Sequence, residues 1–190
     1  MDVEECLCEI ANGKIESLQL LYEELRTSIF ALILVIVRNR TLAEDLLQET
    51  FIRIYTKAYQ YKPNTYAKAW ILSIARNLSY DSLRNNRIVN LDIEELGCEE
   101  FSSISIIVSN NEEQIINKLE LTRALLSLEK IEREIVVMHV VAGLKHSEIG
   151  KALCIPNGTV RWKYRLALKK LFKQIGGISY AQWRYVWSSF

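Results

Sequence analysis

The chain has 190 residues, is 49% hydrophobic and 25% charged, and carries a formal net charge of +1 at pH 7. That length holds one ordinary domain or two small ones, and the longest wholly apolar run, residues 29–37, is too short to span a bilayer. Seven Gly and two Pro disfavour a turn-rich β fold, and four cysteines without framework spacing argue against a disulfide scaffold.

The small net charge hides segregation. Residues 1–30 sum to −5, 31–87 to +5, 88–117 to −7 and 118–190 to +8. Two basic blocks separated by an acidic connector suggest two modules that face nucleic acid.

In chain order, the acidic N-terminus MDVEECLCEI lacks a signal-peptide pattern, so a cytoplasmic location is expected. Cys6 and Cys8 offer two ligands of a zinc site, but His139 and His146, the nearest candidates to complete it, lie over a hundred residues on. Incidental thiols are the favoured reading, with no metal and no cofactor. Helical periodicity runs through residues 14–87, and the apolar run 29–37 reads as a buried helix segment. From Ala43 to Ala58 the apolar positions Ala43, Leu47, Phe51, Ile54 and Ala58 repeat at helical spacing, while Asp45, Gln48, Glu49 and Arg53 fall on another face. Thr41 stands where an N-cap would be, with Glu44 three residues on, a capping-box pattern. The segment YQYKPNTY breaks this helix at Pro63. A further helix from Ala67 to about Asn86 places Trp70, Ile71, Ile74, Leu78 and Leu83 on one side.

Residues 88–117 hold seven acids and no Lys or Arg, which marks a flexible acidic linker. A helix from about Ile115 to Leu128 and another from Glu132 to Ala142 follow. A turn at Gly143 then leads to a short helix ending near Leu153, and a last helix spans about Asn157 to Gln174. Gly176 and Gly177 stop it, and an aromatic tail, residues 176–190, has no evident role. The predicted fold is all-α: two small helical domains, 1–87 and 118–175, joined by the linker, the second a helix-turn-helix.

Between Pro156 and Ile175 there are six Lys or Arg and no acid. A basic helix following a helix and a turn is suited to the major groove, read by its first turns: Asn157, Thr159, Arg161, Trp162, Lys163 and Arg165. The alternative is a solvated basic face. Tyr59, Tyr61, Lys62, Tyr66, Lys68, Trp70, Arg76, Asn77, Arg84 and Arg87 combine aromatic rings with cations, as single-strand binding requires, although such rings more often fill cores. Asp45, Gln48 and Glu49 favour a partner-facing or solvated surface over a catalytic one, since no His accompanies them. Two further readings stay open at this point: a dimeric helix-turn-helix repressor or activator, and a metal-dependent nuclease built on Asp45, Glu49 and Asp81.

The strings AEDLLQETFIRIY, AWILSIARNLSYDSLR and EIGKALCIPNGTVRWKYRLALKKL, in this order, resemble the extracytoplasmic-function (ECF) group of the sigma-70 family of bacterial RNA polymerase sigma factors. The resemblance implies a promoter-specificity factor without catalytic residues. Its partners would be core RNA polymerase, through the β′ coiled coil and the β flap, promoter DNA and an anti-sigma factor, with no membrane insertion. It implies polymerase contacts at Asp45, Gln48, Glu49, Phe51 and Arg53, and −10 element contacts at Tyr61, Lys62, Asn64, Trp70, Arg76, Asn77 and Arg84, with a flipped base taken by the loop 60–67. It implies −35 element contacts at Asn157, Thr159, Arg161, Trp162, Lys163 and Arg165. The sequence also departs from the family pattern. Lys145 and Gly150 stand where a capping Ser or Thr and an Ala are usual, each expected to weaken the supporting helix by about 1 kcal/mol. Leu166 and Leu168 replace arginines, shifting expected phosphate contacts to Lys163, Lys169 and Lys170.

Overall fold

The computed structural model describes residues 2–89 and 124–174, without the side chains of 86–89. Nearly all of the expected acidic linker, most of the helix expected from Ile115 and the aromatic tail lie outside the described residues.

The described residues form helices and no strand. Helix α1 (Val3–Ala11) starts where the Asp2 side chain accepts from the Glu4 N–H at 3.0 Å, with Glu4 and Glu5 placed favourably in the first turn. It stops at Asn12 and at Gly13, whose φ of +89° suits glycine. Helix α2 (Glu16–Val37) ends at Arg38 in the left-handed conformation, and Asn39 at once caps helix α3 (Arg40–Lys57), its side chain accepting from the Leu42 N–H at 2.8 Å. The cap is therefore Asn39 rather than Thr41. Glu44 does not close a capping box on Thr41; it pairs instead with Arg40 at 2.9 Å.

A 3₁₀ turn (Ala58–Gln60) and a loop lead to helix α4 (Ala67–Val89). After a helical turn at 124–127 come α5 (Lys130–Val140), α6 (His146–Leu153) and α7 (Asn157–Gln174). Helices α6 and α7, joined by Cys154–Pro156, are the expected helix-turn-helix.

Helix α2 is the axis of the molecule. Every residue from Ser28 to Val35 is buried, because α1, α3, α4 and α5 all pack against it. A helix apolar all round is stable only when it is enclosed in this way. One hydrophobic core accordingly runs from Leu7, Leu21 and Ile71 through Leu32 to Ile135, Met138 and Ile149. A second, smaller cluster of Leu125, Leu128, Val136, Ala167 and Leu171 holds α7 to α5. The two basic blocks are thus packed against each other. Arg133, 2% exposed, ties them by donating to the carbonyls of Leu125, Leu126, Leu128 and, across the interface, Val35 at 3.1 Å. Burial, with Arg38 second, lowers its pKa to about 10, which leaves it charged at pH 7. The Ser28 hydroxyl donates to the Val141 carbonyl at 3.3 Å beside it.

Gly150 proves to be a requirement of the turn. A Cβ there would lie 2.9 Å from the Ile155 carbonyl oxygen, because the chain folds back after Cys154 and the Ile155 N–H donates to the Gly150 carbonyl at 2.9 Å. The expectation that glycine only weakens this helix is corrected: alanine would not fit without a shift. Lys145 leaves no side-chain cap, but the Glu148 carboxylate accepts from the Lys145 N–H at 2.7 Å.

No helix among the described residues is long and apolar enough to cross a membrane. Cys6 is in the core and Cys8 is half-buried on the same helix, where residues two apart point away from each other.

Candidate nucleic-acid interface

Three surfaces carry the residues singled out in the sequence. On α3, Asp45 and Gln48 are exposed, and Glu49 is held by Arg53 through a 2.8 Å ion pair. Phe51 is not on this face. It is 6% exposed and packs on Tyr22, ring centroids 4.8 Å apart, because its position falls on the side of α3 that meets α2. The sequence reading missed Ile52 and Tyr55, which are 56% and 45% exposed, and grouped Tyr59, 73% exposed, with the aromatic and basic cluster instead. They continue the helical face begun by Asp45 and Gln48, three or four residues apart. An acidic half followed by an apolar half is a docking face in character. The signal was available: Ile52 and Tyr55 break the polar face that α3 would otherwise show to water.

The second surface is the loop 61–66 with α4. Tyr61 is 7% exposed and packs on Trp70, ring centroids 5.6 Å apart. Its hydroxyl is buried, with Thr65 and the Glu4 carboxylate beside it. Burial raises the phenol's pKa, with Glu4 adding to the effect, so the hydroxyl is a neutral donor. Lys62, Asn64 and Asn77 are exposed. Asn64 and Tyr66 adopt left-handed φ of 64° and 69°, and the Thr65 hydroxyl donates to the Lys62 carbonyl at 2.5 Å. Arg84 is exposed and pairs with Asp81 at 2.9 Å.

Arg76 is engaged elsewhere. Its Nε lies 2.6 Å from Glu134 of α5, which is 2% exposed, and the Tyr80 hydroxyl donates to the same carboxylate. Burial, followed by the hydrogen bond to Glu134, pushes the Tyr80 pKa well above the usual phenol range. Lys151 of α6 lies over the Tyr66 ring, 4.4 Å from its centroid. The second block thus covers part of the face that the sequence assigns to DNA.

On α7, Arg161, Trp162, Arg165, Lys169 and Lys173 form one exposed stripe, with Asn157 exposed ahead of it and Thr159 half-buried. Lys163 and Lys170 are not part of it. Lys163 Nζ is 3.2 Å from Glu129, and Lys170 Nζ is 2.8 Å from Glu132, which is fully buried. These two lysines hold α7 on α5, which leaves Lys169 and Lys173 as the exposed lysines of the stripe. Trp162 is 59% exposed with its ring beside Lys163. Beneath the stripe, His139 and His146 stack at 4.6 Å and both meet the edge of Tyr164. Burial first, then His139, Arg161 and Arg165, lowers the His146 pKa.

Comparison with known proteins bears on these surfaces. The family model for sigma-70 region 2 matches residues 21–88 and that for sigma-70 region 4 matches residues 118–171. The chain is 31% identical over 140 residues to RNA polymerase sigma factor CarQ of Myxococcus xanthus, covering 74% of this chain and 78% of that protein. It is 33% identical over 140 residues to ECF RNA polymerase sigma factor SigW of Bacillus subtilis, covering 70% and 75%. Its fold is similar to that of the sigma factor RpoE bound to the anti-sigma factor NepR from Bartonella quintana, at 18% identity and a TM-score of 0.67 over 83% of this chain and 95% of that one. It is also similar to that of CnrH in complex with the cytosolic domain of CnrY, at 16% identity and a TM-score of 0.65 over 90% and 95%.

Proposed function

Since this chain belongs to the ECF group of the sigma-70 family, we propose that it directs core RNA polymerase to particular promoters and opens them, acting through binding and without catalytic groups of its own, in the cytoplasm. The observation that carries this reading is one chain holding three surfaces of different chemistry: the acidic and apolar face of α3, the aromatic loop before α4, and the basic stripe of α7.

Residues 1–87 form the part that joins polymerase and the −10 element. Asp45, Gln48 and Glu49, extended by Ile52 and Tyr55, meet the β′ coiled coil. Lys62, Asn64, Trp70 and Asn77 meet the −10 strand, and the loop 61–66 takes an extruded base, for which the half-buried Trp70, backed by the buried Tyr61 ring, offers a stacking surface. Residues 118–175 form the part that meets the −35 element and the β flap. Arg161, Trp162 and Arg165 stand where a recognition helix reaches base edges, with Lys169 and Lys173 on phosphates. Residues 88–117 span the distance between the two elements.

Arg76 is unavailable to DNA while it pairs with Glu134. The packed arrangement is therefore a resting form that separates before or during promoter binding. Of the two solved structures of similar fold, one is a sigma factor bound to the anti-sigma factor NepR and the other is CnrH bound to the cytosolic domain of CnrY, and an anti-sigma factor acting on this chain would favour the packed form.

Run-off transcription with core polymerase on a random promoter library tests the proposal. The expected result is a set of transcripts sharing two upstream elements at fixed spacing, the upstream one changed by Arg165→Ala. No promoter-specific transcription, or no association with core polymerase, would refute it.

A further inference from the structure

We propose that Glu4, on α1, is a positioning residue for promoter opening: its carboxylate fixes the left-handed turn at Asn64 and so the shape that the loop 61–66 presents to an extruded base. This rests on the reading of that loop as the base-capturing segment. Helix α1 lies outside the stretch matched by the region 2 family model, so nothing in the family match assigns it a part in DNA binding.

The Asn64 N–H donates to Glu4 Oε1, a contact between residues sixty apart in sequence. Asn64 and Tyr66 are non-glycine residues at positive φ, a conformation that persists only when its surroundings hold it. On the Asn64 side the hold comes from Glu4. The carboxylate is itself well placed to act as a fixed point, because α1 is anchored at both ends. Asp2 caps its first turn, and Val3, Cys6, Leu7 and Ile10 are buried in the main core. At its far end Glu9 accepts from Lys14 Nζ at 2.7 Å and from the hydroxyl of Ser17, a buried residue of α2, at 2.6 Å. The bond from the Asn64 N–H to Glu4 thus ties the loop to a helix that the core holds in place.

The same carboxylate lies beside the buried Tyr61 hydroxyl, which Thr65 also faces, so Glu4 meets the loop at two of its residues. An acid beside a DNA-facing loop would otherwise repel phosphates. Committed to the loop backbone, it shapes the loop.

The test uses holoenzyme made with the full chain as wild type, Glu4→Ala and Glu4→Gln. The probe is a fork-junction DNA bearing the −10 sequence recovered from the promoter library, intact or abasic at one position at a time. Wild type is expected to lose affinity when one particular position is abasic. Glu4→Ala should bind the intact probe about five- to tenfold more weakly and show a smaller abasic penalty at that position. Glu4→Gln, which keeps an acceptor oxygen, should stay close to wild type, and affinity for core polymerase should not change. If Glu4→Ala matches wild type while the abasic penalty persists, Glu4 has no positioning role. Tighter binding by Glu4→Ala would overturn the proposal too, making Glu4 a barrier to DNA. If wild type shows no abasic penalty anywhere, the base-capture reading itself falls.

Discussion

Substituting Glu134 by Gln tests whether the packed arrangement restrains DNA binding. The Glu134 carboxylate receives Arg76 and Tyr80, both from α4, and belongs to α5 in the other block. Glutamine keeps one acceptor oxygen but turns an amide NH₂ toward the second donor and removes the charge opposite Arg76. Removing one partner of a fully buried ion pair costs about 3–5 kcal/mol. The Arg76 side chain is 25% exposed and regains some hydration, so about 2–3 kcal/mol is the reasonable figure here. That cost falls on the packed form alone, because separation exposes both groups to water. With each 1.4 kcal/mol worth a factor of ten, the ratio of packed to separated chains falls about 30- to 150-fold. Small-angle X-ray scattering of the free chain should then give a larger radius of gyration. Fluorescence anisotropy should show tighter binding of the free chain to a single-stranded −10 oligonucleotide, whereas transcription by preassembled holoenzyme should be unchanged. If E134Q loses thermal stability yet keeps both the radius and the oligonucleotide affinity of wild type, Glu134 supports the fold and does not hold the blocks together.

Ile52→Asp should lower affinity for core polymerase by about tenfold or more without moving the melting temperature, since Ile52 is 56% exposed; a pull-down and a thermal melt decide it. Lys169→Ala should reduce the slope of log affinity against log salt for −35 duplex by about 1. Lys170→Ala, by contrast, should destabilise the chain by stranding the buried Glu132. Gly150→Ala should destabilise by about 1–3 kcal/mol through overpacking, and a gain in stability from better helix propensity would refute the clash with the Ile155 carbonyl. Because the folded chain lowers the pKa of His146, it binds fewer protons than the unfolded chain once pH falls below the ordinary histidine value of about 6.5. Stability should therefore fall on acidification through that window, and His146→Gln should flatten the slope in denaturant melts.

Much of the local structure was legible from periodicity and end signals. The last helix was expected at about Asn157–Gln174 and is found there, since apolar spacing, the preceding Pro156 and the run of helix formers from Arg161 onward are all properties of neighbouring residues. The apolar run 29–37 read as buried helix for the same reason, and α2 encloses it. The cap of α3 was misplaced by two residues because Asn39 and Thr41 are both competent caps, and only backbone conformation chooses between them.

What the tertiary structure alone decided is which partner each polar group has. In the sequence, Lys163 and Lys170 are indistinguishable from Lys169; in the fold, the exposed Glu129 that caps α5 and the buried Glu132 within it claim two of them and leave the third to solvent. Arg76 reads as a DNA contact but pairs with Glu134, 58 residues away. Glu4 reads as one acid in an acidic N-terminus but caps a loop sixty residues on. Burial depends on which face of a helix meets another helix, and pairing depends on which charges the chain brings within about 4 Å. Helix formation is fixed by residues three and four apart, and so can be read from the sequence. Those pairings are set by packing between distant segments, to which local periodicity is blind.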